Sequence, residues 1–239
     1  RSMEIKGSHV ALLTPFDAKN KVNESKLREM VDFQISSGTD GLVPCGTTGE
    51  SPTLSWEEHK RVIKIVVEEA RGRAQVIAGA GSNNTQEAVE CAVYASKVKA
   101  DGVLIVNPYY NKPTQEGLFQ HFKAVALACK IPVVIYNIPS RTGVNVTPAT
   151  MVRLKAVPNI VACKEASGDI NQISEMVRLC GDKMNFLSGD DSMTLPLLAV
   201  GGKGIISVAA NIVPAEVKSL CDRYFAGDRA GALALHQRL

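Results

Sequence analysis

Asn159-Ile160-Val161-Ala162-Cys163-Lys164-Glu165-Ala166-Ser167-Gly168-Asp169 reads as one complete strand-to-helix joint. Pro158 precedes it, Ile160 to Cys163 is an apolar run of strand length, and Asp169 stands where a helix is capped, with Gln172 at the capping-box position. An apolar run without polar alternation is the pattern of a strand buried on both faces, as in a parallel sheet covered by helices. Lys164 ends that run. An ammonium at the end of an interior strand is costly to desolvate, and the cost lowers its pKa toward that of a nucleophilic amine. A lysine that snorkels to solvent or pairs with Glu165 accounts for the residue equally well, so Lys164 alone leaves both readings open.

The same joint recurs on either side. Toward the N-terminus, strands are expected at His9 to Leu13, Gly41 to Val43, Gln75 to Ala78, Gly102 to Val106 and Val133 to Tyr136. Between them lie helical patterns: one capped by Asn23 and ended by Gly38, one opened by a Ser55-x-x-Glu58 capping box, and others carrying Ala88, Cys91, Ala92 and Ala95, Leu118, Phe122 and Val125, and Pro148 to Ala156. Toward the C-terminus come strand Asn185 to Ser188, a short helix near Leu195 to Val200, strand Gly204 to Ser207 and a helix from Pro214 to Tyr224. Eight consecutive βα units predict an α/β fold of the (β/α)8, or TIM-barrel, type. An open doubly wound sheet would call for a glycine-rich phosphate turn after the first strand, and Leu13-Thr14-Pro15-Phe16 is not one.

A chain of 239 residues, 45% hydrophobic, suits one such domain. Residues 1–3 read as an expression remnant, 4–226 as the barrel, and 227–239 as the start of a C-terminal helical segment that is otherwise largely absent. The net charge of +3 comes with no basic run, which points away from nucleic acid and membrane and toward a small molecule. Six cysteines without metal or redox spacing read as free, mostly buried thiols in a reducing cytoplasm, and no metal or cofactor motif is present. No apolar run has the length of a membrane span.

In a barrel of this type chemistry is expected where strands end. The second strand runs into Cys45-Gly46-Thr47-Thr48-Gly49-Glu50, either a carboxylate grip made of hydroxyls and N–H groups or a turn that caps itself. The fourth ends in Tyr109-Tyr110, a pair that serves packing more often than catalysis. The fifth ends in Tyr136-Asn137-Ile138-Pro139-Ser140-Arg141-Thr142-Gly143, with a phenol suited to proton relay and a guanidinium that fits either a substrate carboxylate or an acid on its own loop. The seventh ends in Ser188-Gly189-Asp190-Asp191, where helix capping is favoured over a metal site, and the eighth in Ile206-Ser207. Lysine, tyrosine, hydroxyls and arginine at one mouth predict an imine-forming enzyme that makes or breaks a C–C bond.

Gly46 to Glu50, Tyr136 to Gly143, Lys164 to Asp169 and Ser188 to Asp191, in this order, resemble the motifs of the dihydrodipicolinate synthase family within the pyruvate-dependent class I aldolases. The resemblance implies condensation of pyruvate with L-aspartate 4-semialdehyde on the route to diaminopimelate and lysine, with no cofactor beyond the covalent imine. It also implies a homodimer or homotetramer. By position, it assigns the imine to Lys164 and central proton transfer to Tyr136. Thr47 and Tyr110 complete the relay, Tyr110 reaching in from a neighbouring subunit. Thr48 holds the pyruvate carboxylate and Arg141 that of the semialdehyde, while the backbones of Gly189 and Ile206 line the pocket. A lysine-inhibitor site falls on Ser51, Pro52, Trp56, His59, Asn83, Glu87 and Tyr109. Two alternatives stand beside this expectation: a sister lyase acting on a sugar acid of the N-acetylneuraminate or 2-keto-3-deoxygluconate type, and a non-catalytic ligand-binding barrel.

Overall fold

A computed structural model describes residues 4–239, so the reading of residues 1–3 lies outside the described residues. Its strands are β1 (Gly7–Ala11), β2 (Gly41–Val43), β3 (Gln75–Gly79), β4 (Gly102–Val106), β5 (Val133–Asn137), β6 (Ile160–Glu165), β7 (Asn185–Ser188) and β8 (Gly204–Ser207). All pair in parallel in chain order, and β1 also pairs with β8 to close the barrel, the (β/α)8 architecture expected from the sequence. Around it run α1 (Glu24–Ser36), α2 (Trp56–Ala70), α3 (Thr85–Lys97), α4 (Gln115–Cys129), α5 (Pro139–Thr142), α6 (Pro148–Leu154), α7 (Ile170–Cys180), α8 (Thr194–Ala199), α9 (Pro214–Phe225) and α10 (Arg229–Arg238).

Successive residues of a strand face opposite sides, and here both sides are buried. Ala11, Val43, Ile77, Leu104, Val134, Tyr136, Ala162, Leu187 and Ile206 fill the barrel interior. Their neighbours Val10, Leu42, Val76, Val103, Ile135 and Cys163 pack outward with Leu27, Val62, Ala92 and Phe122 of the helices. All six cysteines are free and buried. The caps expected at Asn23 and at Ser55 with Glu58 form as read, the latter as a reciprocal capping box.

Four details differ from expectation. β1 begins two residues earlier, because Gly7 pairs with Gly204, and it releases Leu13, whose amide instead donates to Asn211 Oδ1. A helical turn, α5, follows β5 directly, with Pro139 at its start and Gly143 at φ +75 as its cap. α6 ends at Leu154, two residues early. Asp169 caps α7, but Gln172 does not reach back to complete a box; its amide exchanges hydrogen bonds with Asn145.

Three histidines are buried: His9 inside the barrel beside Gln75 (3.2 Å), His59 on α2 and His121 on α4 beside Thr85 (2.9 Å). Burial lowers the pKa of each, that of His121 from 6.5 to about 4. A histidine whose folded pKa lies below its unfolded one leaves the unfolded chain binding more protons between the two values, so stability falls as pH drops through that window. For His121 the loss approaches about 3 kcal/mol by pH 4, at ~1.4 kcal/mol per pH unit. Urea midpoints should therefore decline between pH 6.5 and 4, less steeply in His121→Gln; equal slopes in the two proteins would contradict this.

Candidate active site

β5 and β6 are registered so that Tyr136 lies beside Lys164, both turned into the barrel, with Lys164 Nζ 4.1 Å from the centroid of the Tyr136 ring. Lys164 is 5% exposed, and no salt bridge among the described residues involves it. Pairing with Glu165 is therefore ruled out: strand alternation turns Glu165 to the outer face, where it accepts from Asn137 and Ser167. Burial pushes the Lys164 pKa down from 10.5 to about 8, opposed by Asp191 and reinforced by Arg141. A usable fraction of free amine thus exists near neutral pH. Burial also raises the Tyr136 pKa, against the Arg141 guanidinium and the Thr47 hydroxyl, so the phenol keeps its proton at neutral pH and can donate it.

Close packing brings the surrounding loops to this pair. A Cβ at Gly189 would stand 3.0 Å from Lys164 Cε and 2.9 Å from the Ala166 Cβ, so a side chain there would displace the lysine. At Gly79 a Cβ would meet the Cys45 carbonyl at 2.0 Å, so glycine lets the Cys45-Gly46 turn fold down on β3. Thr14 Oγ1 donates to Gly49 O at 2.7 Å and pins the far end of that loop to the end of β1. Asp190 caps the turn after β7, while Asp191 accepts from Ser207 Oγ and from the Val208 and Ala209 amides. Both act as caps, and Asp191 ties the end of β7 to that of β8.

A cavity of about 410 Å³ opens at this mouth, its lining including Thr47, Val106, Ile138, Arg141 and Thr142 together with Ser51, Pro52, Trp56, His59, Glu87 and Tyr109. Thr47 and Tyr136 also border a small adjoining cavity of about 30 Å³. The residues assigned to the second substrate and those assigned to an inhibitor thus share one space. Asn83 stands behind it, donating to the Tyr109 carbonyl at 3.2 Å. Thr48, Lys164, Gly189 and Ile206 line neither cavity; Lys164 and Ile206 are buried in the barrel interior, and Thr48 and Gly189 are half-buried. Arg141 is exposed and engaged in no salt bridge among the described residues, so pairing with an acid on its own loop does not occur. Tyr110 is 89% exposed at φ +73 and stands outside its own chain's site. Val106 and Ile138 escaped the sequence reading because an apolar side chain carries no chemical signature, and Thr142, on α5, was not separated from the stretch around Arg141.

Among the described residues no group of three or more His, Cys, Asp or Glu is placed to hold a metal ion, and no helix is long and apolar enough to cross a membrane. The family model described as the dihydrodipicolinate synthetase family matches residues 4–239. A 4-hydroxy-tetrahydrodipicolinate synthase of Citrifermentans bemidjiense is 58% identical over 230 residues, which are 96% of this chain and 79% of that protein. The crystal structure of dihydrodipicolinate synthase from Aquifex aeolicus superposes with a TM-score of 0.96 at 50% identity, covering 98% of this chain and 80% of the other. The chloride-inhibited enzyme of Acinetobacter baumannii complexed with pyruvate superposes with a TM-score of 0.95 at 44% identity, with 98% and 80% covered. The chain spans about four-fifths of the length of these relatives.

Proposed function

The chain belongs to the dihydrodipicolinate synthetase family, and from that membership we propose the roles of its individual residues in the family's reaction. The reaction is the condensation of pyruvate with L-aspartate 4-semialdehyde to 4-hydroxy-tetrahydrodipicolinate, in lysine and diaminopimelate biosynthesis. The observation that carries the assignment is the buried, unpaired Lys164 held against Tyr136.

Neutral Lys164 adds to the pyruvate ketone, and the carbinolamine loses its hydroxyl as water when Tyr136 delivers a proton. Loss of a methyl proton from the imine gives an enamine, whose carbon attacks the aldehyde of the second substrate. Attack by that substrate's amino group on the imine carbon closes the ring and releases Lys164. The hydroxyl of Thr47 relays protons to Tyr136, Thr48 receives the pyruvate carboxylate, and the Gly189 and Ile206 backbones line the pocket. No metal takes part in this scheme; the covalent imine provides the electron sink. Buried free thiols support a reducing, cytoplasmic setting.

Arg141, exposed at the cavity and unpaired, receives the carboxylate of the semialdehyde. Losing a charge-assisted bidentate contact costs about 1.5–3 kcal/mol, so Arg141→Ala should lower kcat/KM for the semialdehyde by roughly one to two orders of magnitude. Trapping of pyruvate should change much less. Equal losses in both assays would make Arg141 a structural residue, and turnover of a sugar acid in place of the semialdehyde would overturn the function.

Tyr110, held out into solvent in a left-handed backbone conformation, completes the relay of a neighbouring subunit, and the functional unit is a dimer or larger. Mixing Tyr110→Phe chains with Lys164→Ala chains should restore some activity through intact mixed sites. Failure to complement, with subunit exchange demonstrated, would remove Tyr110 from the relay. The cavity lining that includes Ser51, His59, Glu87 and Tyr109, with Asn83 bonded to the Tyr109 carbonyl, supports a site for an amino-acid inhibitor.

A further inference from the structure

On three adjacent strands an inward residue at the site is followed by an outward polar one: Val106 by Asn107, Tyr136 by Asn137, Lys164 by Glu165. Val106 is registered with Tyr136, Tyr136 with Lys164 and Asn137 with Glu165. Asn107 and Asn137 are fully buried and Glu165 nearly so, between the barrel and its helices, where unpaired polar groups are costly.

Asn137 sits at the centre with every hydrogen-bonding capacity used. Its Oδ1 accepts from Asn107 Nδ2 at 2.9 Å and from the Val146 amide at 3.0 Å. Its Nδ2 donates to Asn145 Oδ1 at 2.8 Å and to the Glu165 carboxylate at 3.1 and 3.3 Å. Glu165 Oε1 also accepts from the Ser167 amide at 2.8 Å. Asn107 spends both amide protons, on Asn137 Oδ1 and the Val144 carbonyl, and its own Oδ1 is left buried without a partner.

We propose that Asn107, Asn137 and Glu165 form a positioning network: by clamping the ends of β4, β5 and β6 from outside, they set the height and rotation of Tyr136 relative to Lys164. Each clamp residue is bonded through the backbone to the site residue it follows, so a slip of one strand by a fraction of an ångström appears directly in the phenol-to-amine geometry. Proton transfer tolerates little such error. The inference rests on the proposed roles of Lys164 and Tyr136, and those are tested separately by the unmodified protein.

The network predicts a swap. Asn137→Asp alone sets two carboxylates face to face, and Glu165→Gln alone removes the charged acceptor. Together they exchange amide and carboxylate and restore a donor–acceptor pair between these two positions, though not the bond to Asn145 Oδ1. Turnover should be measured per site trappable by pyruvate and borohydride, which removes any effect of misfolded protein from the comparison. Each single variant should lose about tenfold or more per trappable site, and the double variant should recover part of that loss, the bond to Asn145 staying broken. Unchanged per-site turnover in the singles, or a double variant no better than the worse single, would overturn the proposal. If Asn137→Asp does not fold, Glu165→Gln against the double variant decides by the same measure. An unmodified protein that forms no adduct would instead overturn the proposed chemistry.

Discussion

Lys164→Met is expected to abolish turnover and, at the same time, to make the protein more stable. Removing the group that carries the covalent step from a residue set that acts as a unit costs on the order of 10⁴-fold or more in turnover. The stability gain follows from the buried ammonium. With a folded pKa of about 8 against 10.5 for the free side chain, the unfolded chain binds the extra proton between those values, so stability rises with pH across that window. Below it the fold carries the full cost, about 3 kcal/mol at ~1.4 kcal/mol per pH unit. Methionine has nearly the same length and no charge to desolvate. Urea titrations at pH 7 should show a higher midpoint for the variant, and the difference should shrink as pH rises from about 8 to 10.5. A destabilised variant would mean that the contact of the ammonium with the Tyr136 ring outweighs the cost of burying it.

The second large effect is expected at Tyr136. Tyr136→Phe keeps the ring that packs in the barrel interior and under Lys164 and deletes only the hydroxyl. If the phenol moves protons both in water loss and in enamine formation, kcat should fall by about 10²–10⁴-fold, the usual worth of a positioned acid–base group. Thermal stability should change little, since the packing is retained. Stopped-flow measurement of imine formation should show the same loss as steady-state turnover. A decrease of less than about threefold would assign proton transfer to another group.

The barrel was legible because its strands carry buried runs such as Gly102-Val103-Leu104-Ile105-Val106, and because helix starts at Asn23 and Ser55 use side chains whose only local task is capping. The boundaries of β1 were not, since Leu12 and Leu13 continue the apolar run beyond the point where pairing with β8 stops. At the site, Lys164, Tyr136 and Arg141 announce themselves as a strand-end amine, phenol and guanidinium. Whether Lys164 pairs with Glu165 was undecidable from adjacency, and the strand's alternation settles it by turning the two side chains apart. The Asn107–Asn137–Glu165 network escaped because its members are far apart in the chain and become partners only through register. Gly189 entered the expected site only for its backbone, and the space its missing side chain leaves is filled by Lys164.

The most direct test of the account is borohydride trapping of pyruvate on the unmodified protein as a function of pH, read by intact mass and peptide mapping. The account predicts one pyruvyl adduct per chain, on Lys164, with a trapping rate that rises through a midpoint near the lysine's pKa of about 8. An adduct on another lysine, or a midpoint near the 10.5 of an ordinary lysine, would contradict it.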